Sequence, residues 1–500
     1  MSRPTRGRDP IRVYDARWEA EEFSREEVAR LVEATLIYGR LLGVDTVTIC
    51  RDARFGCAPL MELAADIALG SGFDVVLCLD PVSTPQSYFV TYHVSQTCPR
   101  TMGLTFTASH NPAGYVGLKV VVPPVQAIGM DCGPLGGLRK IREIYHGGDT
   151  LARVSRARLR VRSLAREYVD FSLRTAGLTD GCLEGIPVVF DFFSGAAAPE
   201  MMDALQRAGA SVVPLRLVPD GSFPGGSPNP ASAGKMEAAV TAAREAGGSV
   251  VVGTDGDGDR LVFGDENGIF SAGIAAIPIL AQVISERKDP GPAQVLFDPK
   301  VSPPALAEWT RLGVTPSLFR NGHSQIKERM RCMEAIAAVE ESGHFYHRLA
   351  GGGPPIFVEN SLVTILLFLR SARERPSLLR ELRKLQDRVF TTGEFNFQLQ
   401  DDRSRDAAMS EVLRGFRDDG ADIVSRTADG VDLEGFHVSR GVDSRTGVLQ
   451  DGWYQAYLRV ATNEKAVIRS YVSAADPGIG QGWEQRIRHT LSALGGRQID

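Results

Sequence analysis

The stretch VVVGTDGDGDRLVFGDE, residues 250–266, places an acidic turn between two short apolar runs. Both runs are rich in β-branched and aromatic residues, so they predict two buried strands. Between them, Asp255, Asp257 and Asp259 alternate with glycines. Three crowded carboxylates repel one another unless a cation neutralises them, and hard divalent cations prefer oxygen ligands. The stretch therefore predicts a strand–loop–strand unit whose loop binds a divalent cation.

Two other interpretations of this aspartate loop stay open. An EF-hand calcium loop has similar acidic spacing, and Glu266 falls at its twelfth position. That loop requires glycine at its sixth position, where this chain has Arg260, and it is flanked by helices rather than strands. A solvated acidic turn is the other alternative. We prefer Mg²⁺, because three ligands leave coordination positions open for a phosphate oxygen.

Outward from the loop, helical and strand patterns alternate along most of the 500 residues, which are too many for one hydrophobic core. Segments 1–165, 166–273 and 274–383 repeat a similar order of strands and helices. Segment 384–500 is less regular. We therefore predict an α/β fold in which three similar α/β domains with mixed sheets and a smaller α+β C-terminal domain surround a central cleft.

Composition and charge narrow the class of protein. The hydrophobic fraction is 43%, the charged fraction is 23% and the net charge is −5, so there is no general attraction to nucleic acid or to anionic membranes. The longest strongly apolar run, residues 362–369, is far shorter than the roughly 20 residues that span a bilayer, and predicts a buried helix or strand. The seven cysteines form no CxxC pair, and no signal peptide is visible. We expect a cytoplasmic protein without a disulfide framework or a zinc site.

A second stretch, TFTASHNPAGYVGLKVV at residues 105–121, ends a predicted strand at a serine. A serine at such a junction is exposed, and Ser109 could act as a nucleophile or carry a phosphate, although a lone serine there is more often a turn residue. The hydrolase pattern G-x-S-x-G is absent from this stretch. Lys119, in the next apolar strand, is either a snorkelling edge residue or an electrostatic or proton-transfer group.

Several motifs, in the same order, resemble those of the α-D-phosphohexomutase superfamily, which includes phosphoglucomutase, phosphomannomutase and the phosphoglucosamine mutases. The motifs are RVYDAR (12–17), TASHNP (107–112), GSFPGGSPNP (221–230), DGDGDR (255–260), RNGHSQIKERM (320–330) and VEESGH (339–344). The resemblance implies the four-domain fold of that superfamily. It also implies a phosphohexomutase that interconverts the 1-phosphate and 6-phosphate forms of a hexose or hexose-like substrate.

The resemblance further implies a phosphoserine enzyme, a sugar bisphosphate intermediate and Mg²⁺ as cofactor. Ser109 would carry the phosphoryl group and bind the metal with Asp255, Asp257 and Asp259, while Lys119 and Arg17 would transfer protons or stabilise charge. The implied substrate-binding residues are Tyr14, His110, Arg260, Lys300, His323, Glu340, Ser342, Arg459, Thr462, Asn463 and Arg469. The expected partner is a small sugar phosphate, bound by a monomer or homodimer.

The predicted phosphate-binding segment departs from the superfamily pattern R-x-S-[GN]-T-x-P followed by a second arginine. Here residues 459–469 read RVATNEKAVIR, with Ala461 for the serine and Lys465 for the proline. Three alternatives therefore stay open. The chain could be a mutase for an unusual sugar or cyclitol phosphate, a sugar-phosphate phosphatase or phosphotransferase, or a sugar-phosphate-binding regulator without activity.

Overall fold

The computed structural model describes residues 9–154, 157–287, 291–351, 353–442, 449–461 and 464–499. These residues form two compact units, which are described separately. The first unit contains the described residues up to Ile269 together with Gly322–Glu334 and Ser342–Pro376. The second unit contains Phe270–Asn321, Ala335–Glu341 and the described residues from Ser377 onward.

The first sheet of the first unit is mixed and carries helices on its faces. Its elements, together with helix α5 that follows the last strand, are β1 (Ala16–Glu19), α1 (Arg25–Leu41), β2 (Thr46–Arg51), α2 (Cys57–Gly70), β3 (Asp74–Leu77), α3 (Thr84–Ser95), β4 (Thr101–Phe106), β5 (Tyr115–Val122), β6 (Gln126–Ala127), α4 (Leu138–Gly147), β7 (Leu159–Val161) and α5 (Ala165–Thr175). The strand order is β1-β5-β4-β2-β3-β7, with β6 paired to β5. Strand β2 runs parallel to β3 and β4, whereas β4 and β5 are antiparallel. The turn from β4 to β5 therefore lies at the edge where the buried strands β2 and β4 end.

The second sheet of the first unit contains the aspartate loop. Its elements are β8 (Pro187–Asp191), α6 (Ala198–Ala208), β9 (Ser211–Leu215), α7 (Glu237–Glu245), β10 (Val250–Thr254), β11 (Leu261–Asp265) and β12 (Gly268–Ile269), in the order β12-β11-β10-β8-β9. Strands β10 and β11 are antiparallel and every residue in them is buried. The predicted strand–loop–strand unit is confirmed, and the flanking strands exclude the helices of an EF-hand.

The next part of the chain contributes to both units. Its elements are α8 (Ala272–Ser285), β13 (Ala293–Phe297), α9 (Pro303–Arg311), β14 (Val314–Leu318), α10 (His323–Met333), β15 (Ala337–Val339), β16 (Phe345–Leu349), β17 (Ile356–Glu359) and α11 (Ser361–Glu374). In the second unit, β13 pairs in parallel with β14 and β15. In the first unit, β16 and β17 form an antiparallel pair. The apolar run at residues 362–369 lies inside α11, so of its two predicted forms the helix is confirmed.

The C-terminal sheet belongs to the second unit. Its elements, after helix α12 (Leu378–Gln386), are β18 (Phe390–Gln398), α13 (Asp402–Asp418), β19 (Asp422–Arg426), β20 (Asp432–Val442), β21 (Leu449–Val460), β22 (Val467–Ala474), α14 (Pro477–Ala493) and β23 (Arg497–Ile499). The strand order is β19-β20-β21-β22-β18-β23. Phe416 of α13 stacks on Trp483 of α14, with ring centroids 4.1 Å apart, in the core beneath this sheet. The predicted α/β class with mixed sheets is confirmed, while the four domain boundaries stay predictions.

Two findings bear on the environment of the protein. In the described ranges, no helix combines the length and the apolar character that crossing a bilayer requires. All seven cysteines carry free thiols, and four of them are buried. The cytoplasmic location and the oligomeric state stay predictions.

A buried carboxyl group joins the two sheets of the first unit close to the aspartate loop. Glu200, in the first turn of α6, is 4% exposed and accepts a hydrogen bond from Ser83 Oγ, which caps the N-terminus of α3. Burial raises the pKa of Glu200 to about 8. The carboxyl group is therefore protonated at neutral pH, and glutamine is its closest uncharged analogue.

We expect Glu200→Gln to become progressively more stable than the wild type as pH rises from 5 to 8. Because the pKa of Glu200 is higher in the folded than in the unfolded chain, the folded state binds more protons in this window, and wild-type stability falls with pH by up to about 1.4 kcal/mol per unit. The glutamine variant has no ionisable group at position 200, so its stability does not fall with pH for this reason. Urea unfolding at each pH measures the difference. Glu237→Gln, an exposed acidic residue in the first turn of α7, is the control and should show a constant offset. A constant offset in Glu200→Gln as well would contradict the expectation.

Candidate functional site

Ser109 follows β4 on a tight turn and faces the aspartate loop. Its φ angle of 52° lies in the left-handed region, which is uncommon for a residue other than glycine. Its Oγ donates a hydrogen bond to Asp255 Oδ2 over 2.9 Å and lies 3.3 Å from His110 Nδ1. The expected exposure of Ser109 was wrong, since the residue is only 2% exposed. Asp255 of the aspartate loop contacts its Oγ directly and contributes to this burial.

A buried arginine that the sequence analysis missed holds the serine turn in this conformation. Arg54 has no exposed surface and pairs with the equally buried Asp52 at 3.1 Å. Its guanidinium also donates to four backbone carbonyl oxygens, those of Ser109 (2.6 Å), Asn111 (2.7 Å), Pro112 (2.6 Å) and Tyr115 (3.1 Å). Each of its three nitrogens is thus engaged by the turn or by Asp52. The left-handed conformation of Ser109 persists because these bonds fix the backbone on both sides of it.

Asp52 extends the same support to the backbone of Ser109. Its Oδ2 accepts a hydrogen bond from Thr107 Oγ1 over 2.7 Å, and Thr107 Oγ1 in turn accepts one from the Ser109 amide over 2.9 Å. The ion pair of Arg54 and Asp52 therefore contacts the backbone of Ser109 at two points. Arg54 binds its carbonyl oxygen directly, and Asp52 is connected to its amide through Thr107.

The aspartate loop brings its three carboxylates together in the interior. Asp255, Asp257 and Asp259 are at most 2% exposed, and one oxygen from each lies within 4.8 Å of the others. The alternating glycines are required by space: a Cβ at Gly256 would lie 2.9 Å from the Ser109 carbonyl oxygen, and one at Gly258 would lie 2.5 Å from the Ala197 side chain. The turn can therefore approach Ser109 only with glycine at these positions.

The charges of the loop are partly balanced by Lys119, which β5 carries into the interior. The Lys119 ammonium lies 2.8 Å from Asp257 Oδ2 and 2.5 Å from Asp259 Oδ2. Burial alone would lower the pKa of Lys119, but the two carboxylates outweigh it and raise the pKa well above its usual value. Burial and the neighbouring aspartates raise the pKa of Asp255 well above its ordinary value. Of the two roles expected for Lys119, the paired ammonium favours charge stabilisation over proton transfer.

The loop retains coordination capacity that fits a divalent cation. Asp257 Oδ1 is buried and makes no hydrogen bond to any residue that the structure describes. Thr84, at the start of α3, holds the other oxygen of the same carboxylate over 2.7 Å. An uncompensated buried carboxylate oxygen is costly, and a hard cation at this point would satisfy it and relieve the repulsion around Asp255.

A second group of metal-compatible side chains shares Asp259 with the loop. Asp259, His344 and Glu359 also offer ligand atoms within 4.8 Å of one another. The Glu359 carboxylate is already paired with Lys327 at 2.5 Å, and both side chains are at most 3% exposed. The aspartate loop offers three carboxylates to a hard cation and this group only two, so the three aspartates are the better cation site.

Four other predicted residues of the first unit border the serine turn or the loop. Arg17 donates to Asn111 Oδ1 over 2.8 Å and pairs with Asp15 at 2.9 Å. Arg260 lies 4.0 Å from Asp255. Burial, followed by Arg260 and Arg17, lowers the pKa of His110 well below its usual value, so its imidazole is neutral. Tyr14 packs edge-on against His323, with ring centroids 6.1 Å apart.

The histidines of the first unit include one that the sequence analysis quoted but did not select. His344 lies 3.5 Å from Asp259 and 2.9 Å from the hydroxyl of Ser342, a predicted substrate-binding residue. His323 begins α10, and its two ring nitrogens are buried without a hydrogen-bond partner among the described residues. The ESGH motif contained His344, so attention to every polar member of the motif would have found it.

The remaining predicted residues belong to the second unit. Glu340 accepts a hydrogen bond from Asn321 over 3.2 Å. Lys300, Arg459 and Arg469 all lie within 4.0 Å of one carboxylate, that of Glu394. The predicted residues Thr462 and Asn463 lie outside the described residues. The structure thus brings three predicted cationic residues together and adds an acidic residue that the sequence analysis missed.

Comparison with known families places these features in context. Residues 9–129 match the model for phosphoglucomutase/phosphomannomutase, alpha/beta/alpha domain I, and residues 166–268 match the model for domain II of the same family. The serine turn lies in the first match and the aspartate loop in the second.

Similar proteins cover most of the chain. A phosphomannomutase of Salmonella typhimurium is 31% identical over 434 residues, which is 85% of this chain and 89% of the relative. A phosphomannomutase of Escherichia coli K12 is 31% identical over 346 residues, covering 68% of this chain and 72% of the relative. The crystal structure of a phosphoglucomutase/phosphomannomutase family protein from Burkholderia thailandensis superimposes with a TM-score of 0.78 at 22% identity, covering 97% of each chain.

We expect Arg54→Lys to lower the kcat for hexose phosphates by about 10²-fold, since a lysine cannot replace the guanidinium contacts and the nucleophile is displaced. KM should change much less, because Arg54 is buried and its donors already contact the turn. Steady-state kinetics separate the two effects, and circular dichroism checks the fold. Arg40→Lys is the control, because Arg40 also donates to backbone carbonyl groups, those of Val44, Ser71 and Gly72. A change confined to KM would refute the positioning role of Arg54.

Proposed function

Because this chain belongs to the phosphoglucomutase/phosphomannomutase family of phosphohexomutases, we propose that it transfers a phosphoryl group between two hydroxyl positions of a hexose phosphate through Ser109. The observation that carries the proposal is the hydrogen bond of 2.9 Å from Ser109 Oγ to Asp255, beside two further buried aspartates and Lys119. A nucleophilic oxygen, a cation site and a fixed ammonium are the elements that phosphoryl transfer requires.

The first half of the proposed reaction starts with a phosphoryl group on Ser109 Oγ. The bond between phosphorus and Ser109 Oγ breaks, a bond from phosphorus to a hydroxyl oxygen of the sugar monophosphate forms, and the proton that this hydroxyl loses is balanced by the proton that Ser109 Oγ gains. The product is a sugar bisphosphate. The Lys119 ammonium would remain beside the moving group, where its fixed charge stabilises the transition state.

In the second half, the other phosphate of the bisphosphate returns its phosphoryl group to Ser109 Oγ. Ser109 Oγ loses its proton as its bond to phosphorus forms, and the sugar oxygen whose bond to phosphorus breaks gains a proton and becomes a hydroxyl, so that only the position of the phosphate has changed. Arg54 and Asp52 would keep Ser109 Oγ in place through both transfers. Arg17 and Arg260, which border the turn, would contact the phosphoryl oxygens.

Asp255, Asp257 and Asp259 would hold Mg²⁺, with Ser109 or its phosphate completing the ligand set. Bound there, the cation would neutralise charge on the phosphoryl group. The neutral imidazole of His323, whose nitrogens are buried and unpaired among the described residues, would accept or donate hydrogen bonds to the sugar. Tyr14, His110 and Ser342 would complete this set in the first unit.

In the second unit, we propose that Lys300, Arg459 and Arg469 bind the phosphate that is not being transferred, with Thr462 and Asn463 as further candidates, and that Glu340 binds a ring hydroxyl. Mannose and glucose phosphates are the first substrates to test, because the relatives are named phosphomannomutases. An unusual sugar or a cyclitol phosphate remains the alternative substrate, since Ala461 and Lys465 alter the segment next to these residues.

A phosphatase or phosphotransferase is the second candidate function. The altered segment around Ala461 and Lys465 is the observation that favours it, because a weakly held bisphosphate would leave before its second transfer. Water or another acceptor would then receive the phosphoryl group from Ser109.

We expect the purified protein, after incubation with glucose 1,6-bisphosphate, to gain the mass of one phosphoryl group, and Ser109→Ala to gain none. Intact-protein mass spectrometry measures this difference. Ser222→Ala, which removes an exposed hydroxyl elsewhere in the first unit, is the control and should behave as the wild type. With mannose 1-phosphate or glucose 1-phosphate, phosphorus NMR should show the 6-phosphate; inorganic phosphate as the main product would favour the phosphatase. A phosphorylated Ser109→Ala variant would refute the role of Ser109.

We expect Asp257→Asn to weaken Mg²⁺ binding by at least about tenfold and to lower kcat by about 10²–10³-fold, because it removes one anionic oxygen ligand and leaves Lys119 with a single carboxylate partner. Isothermal titration calorimetry measures the first effect and steady-state kinetics the second. Asp265→Asn, a buried aspartate at the end of β11 outside the cluster, is the matched control. Turnover by Asp257→Asn at the wild-type rate would contradict the metal assignment.

A further inference from the structure

The cationic residues of the second unit converge on one acidic side chain. Lys300 follows β13, Arg459 lies near the end of β21 and Arg469 lies on β22. Glu394, on β18, points its carboxylate among them: its Oε1 is 2.9 Å from Arg469 Nη1, and its Oε2 is 3.9 Å from Lys300 Nζ and 4.0 Å from Arg459 Nη2. We call these four residues the Glu394 cluster.

The backbone around Glu394 is irregular in a way that aims this side chain. Strand β18 pairs with β22, and the register shifts between Thr391 and Glu394. Gly393, just before Glu394, has a φ of 68°, which glycine tolerates best. A β-bulge turns a side chain away from the regular alternation of a strand. The irregularity therefore accounts for how a strand residue reaches three cations from three separate segments.

The side chains of the cluster are shielded but reachable. Their exposed fractions are 15% for Lys300, 19% for Arg459, 27% for Arg469 and 30% for Glu394. Burial raises the pKa of Glu394, but the three cations outweigh it and the net shift is downward. Glu394 is therefore ionised at neutral pH, and each of the four side chains keeps some contact with solvent.

The three cations have little charge left over for a ligand. Glu464 pairs with Arg469 at 2.7 Å, and Asp298 lies 4.0 Å from Lys300. Together with Glu394, these carboxylates supply three negative charges against three positive ones. A phosphate dianion that arrived without displacing a carboxylate would meet a balanced cluster rather than a strongly cationic one.

We propose that Glu394 occupies the position that the non-transferred phosphate takes in the complex, and that its carboxylate competes with phosphorylated ligands for Lys300, Arg459 and Arg469. The inference rests on the proposed function, which assigns these cations to that phosphate. A carboxylate offers arginine the same paired oxygen acceptors as a phosphate, so the two groups compete for one set of donors. To admit the phosphate, Glu394 must turn toward solvent.

This competition suits a reaction in which each phosphate of one intermediate must in turn be released and presented to Ser109. A phosphate held by three uncompensated cations would leave slowly. With Glu394 ready to return to the same donors, the cations release the phosphate without being left unpaired, and the intermediate can turn over.

The decisive experiment measures phosphate binding by the full-length chain carrying Ser109→Ala, with and without Glu394→Gln. Inorganic phosphate is the probe, titrated calorimetrically in EDTA so that no cation draws it to the aspartate loop. Removing the competing charge should tighten phosphate binding by about fivefold or more, the scale expected for a charge about 4 Å from a partly exposed site. Glu464→Gln is the matched control: it contacts Arg469 alone and should shift the affinity by less than about twofold.

A third variant locates the effect. Adding Arg469→Gln to Glu394→Gln should abolish the gain in affinity; a gain that survives this substitution would overturn the proposal, because the phosphate would then bind elsewhere. Unchanged or weaker phosphate binding by Glu394→Gln would also overturn the proposal. Glu394 would then be a structural residue whose ion pairs connect β18, β21 and β22. None of these measurements involves turnover. Failure of the Ser109 phosphoryl test would count against the proposed function, and a failure here counts against Glu394 alone.

Discussion

Mutual repulsion among three buried carboxylates is the main constraint on the structure of the first unit. Asp255, Asp257 and Asp259 have almost no contact with solvent, and the one ammonium among them, that of Lys119, touches only two. Burying like charges is costly, so the arrangement favours a task that uses the negative charge. Binding a divalent cation next to a phosphoryl group is such a task. The excess also explains why Ser109 donates its proton toward Asp255 rather than toward a histidine.

The supports around this cluster form a chain of buried polar contacts. Thr84 holds Asp257, Ser83 caps the same helix beside it, and Glu200 accepts the hydroxyl of Ser83. On the other side of Ser109, the ion pair of Arg54 and Asp52 fixes the turn. In both sets of contacts, removing one side chain would leave its buried partner without a hydrogen bond. The loss in free energy of unfolding would therefore exceed the net contribution of the hydrogen bond itself. Ser109 Oγ is therefore positioned by residues that are themselves buried.

The sequence predicted those parts of the site whose residues are neighbours along the chain. The aspartate loop and the serine turn are local patterns, and the structure contains both of them. Arg54 was missed because its contacts to Ser109 span 55 positions, a pairing that the β2–β4 register creates and no local motif records. The exposure of Ser109 was wrong for the same reason, since its cover comes from the second sheet. The sequence did not decide between a helix and a strand for residues 362–369. A continuous apolar run lacks the alternation of polar and apolar residues that distinguishes the two.

Glu394 illustrates a different limit of motif-based reasoning. Comparison with a phosphate-binding pattern finds the cations that are present, but it does not register an acidic residue that a β-bulge on another strand brings between them. The two charge clusters of the molecule are in fact opposites. The three carboxylates of the aspartate cluster suit a cation, whereas the cations of the Glu394 cluster already contact a carboxylate, so that an anion is proposed to enter there by exchange. If Ser109 transfers the phosphoryl group as proposed, fixed positioning of its Oγ and exchangeable binding of the second phosphate would act together, because the proposed bisphosphate would have to change orientation while Ser109 stays in place.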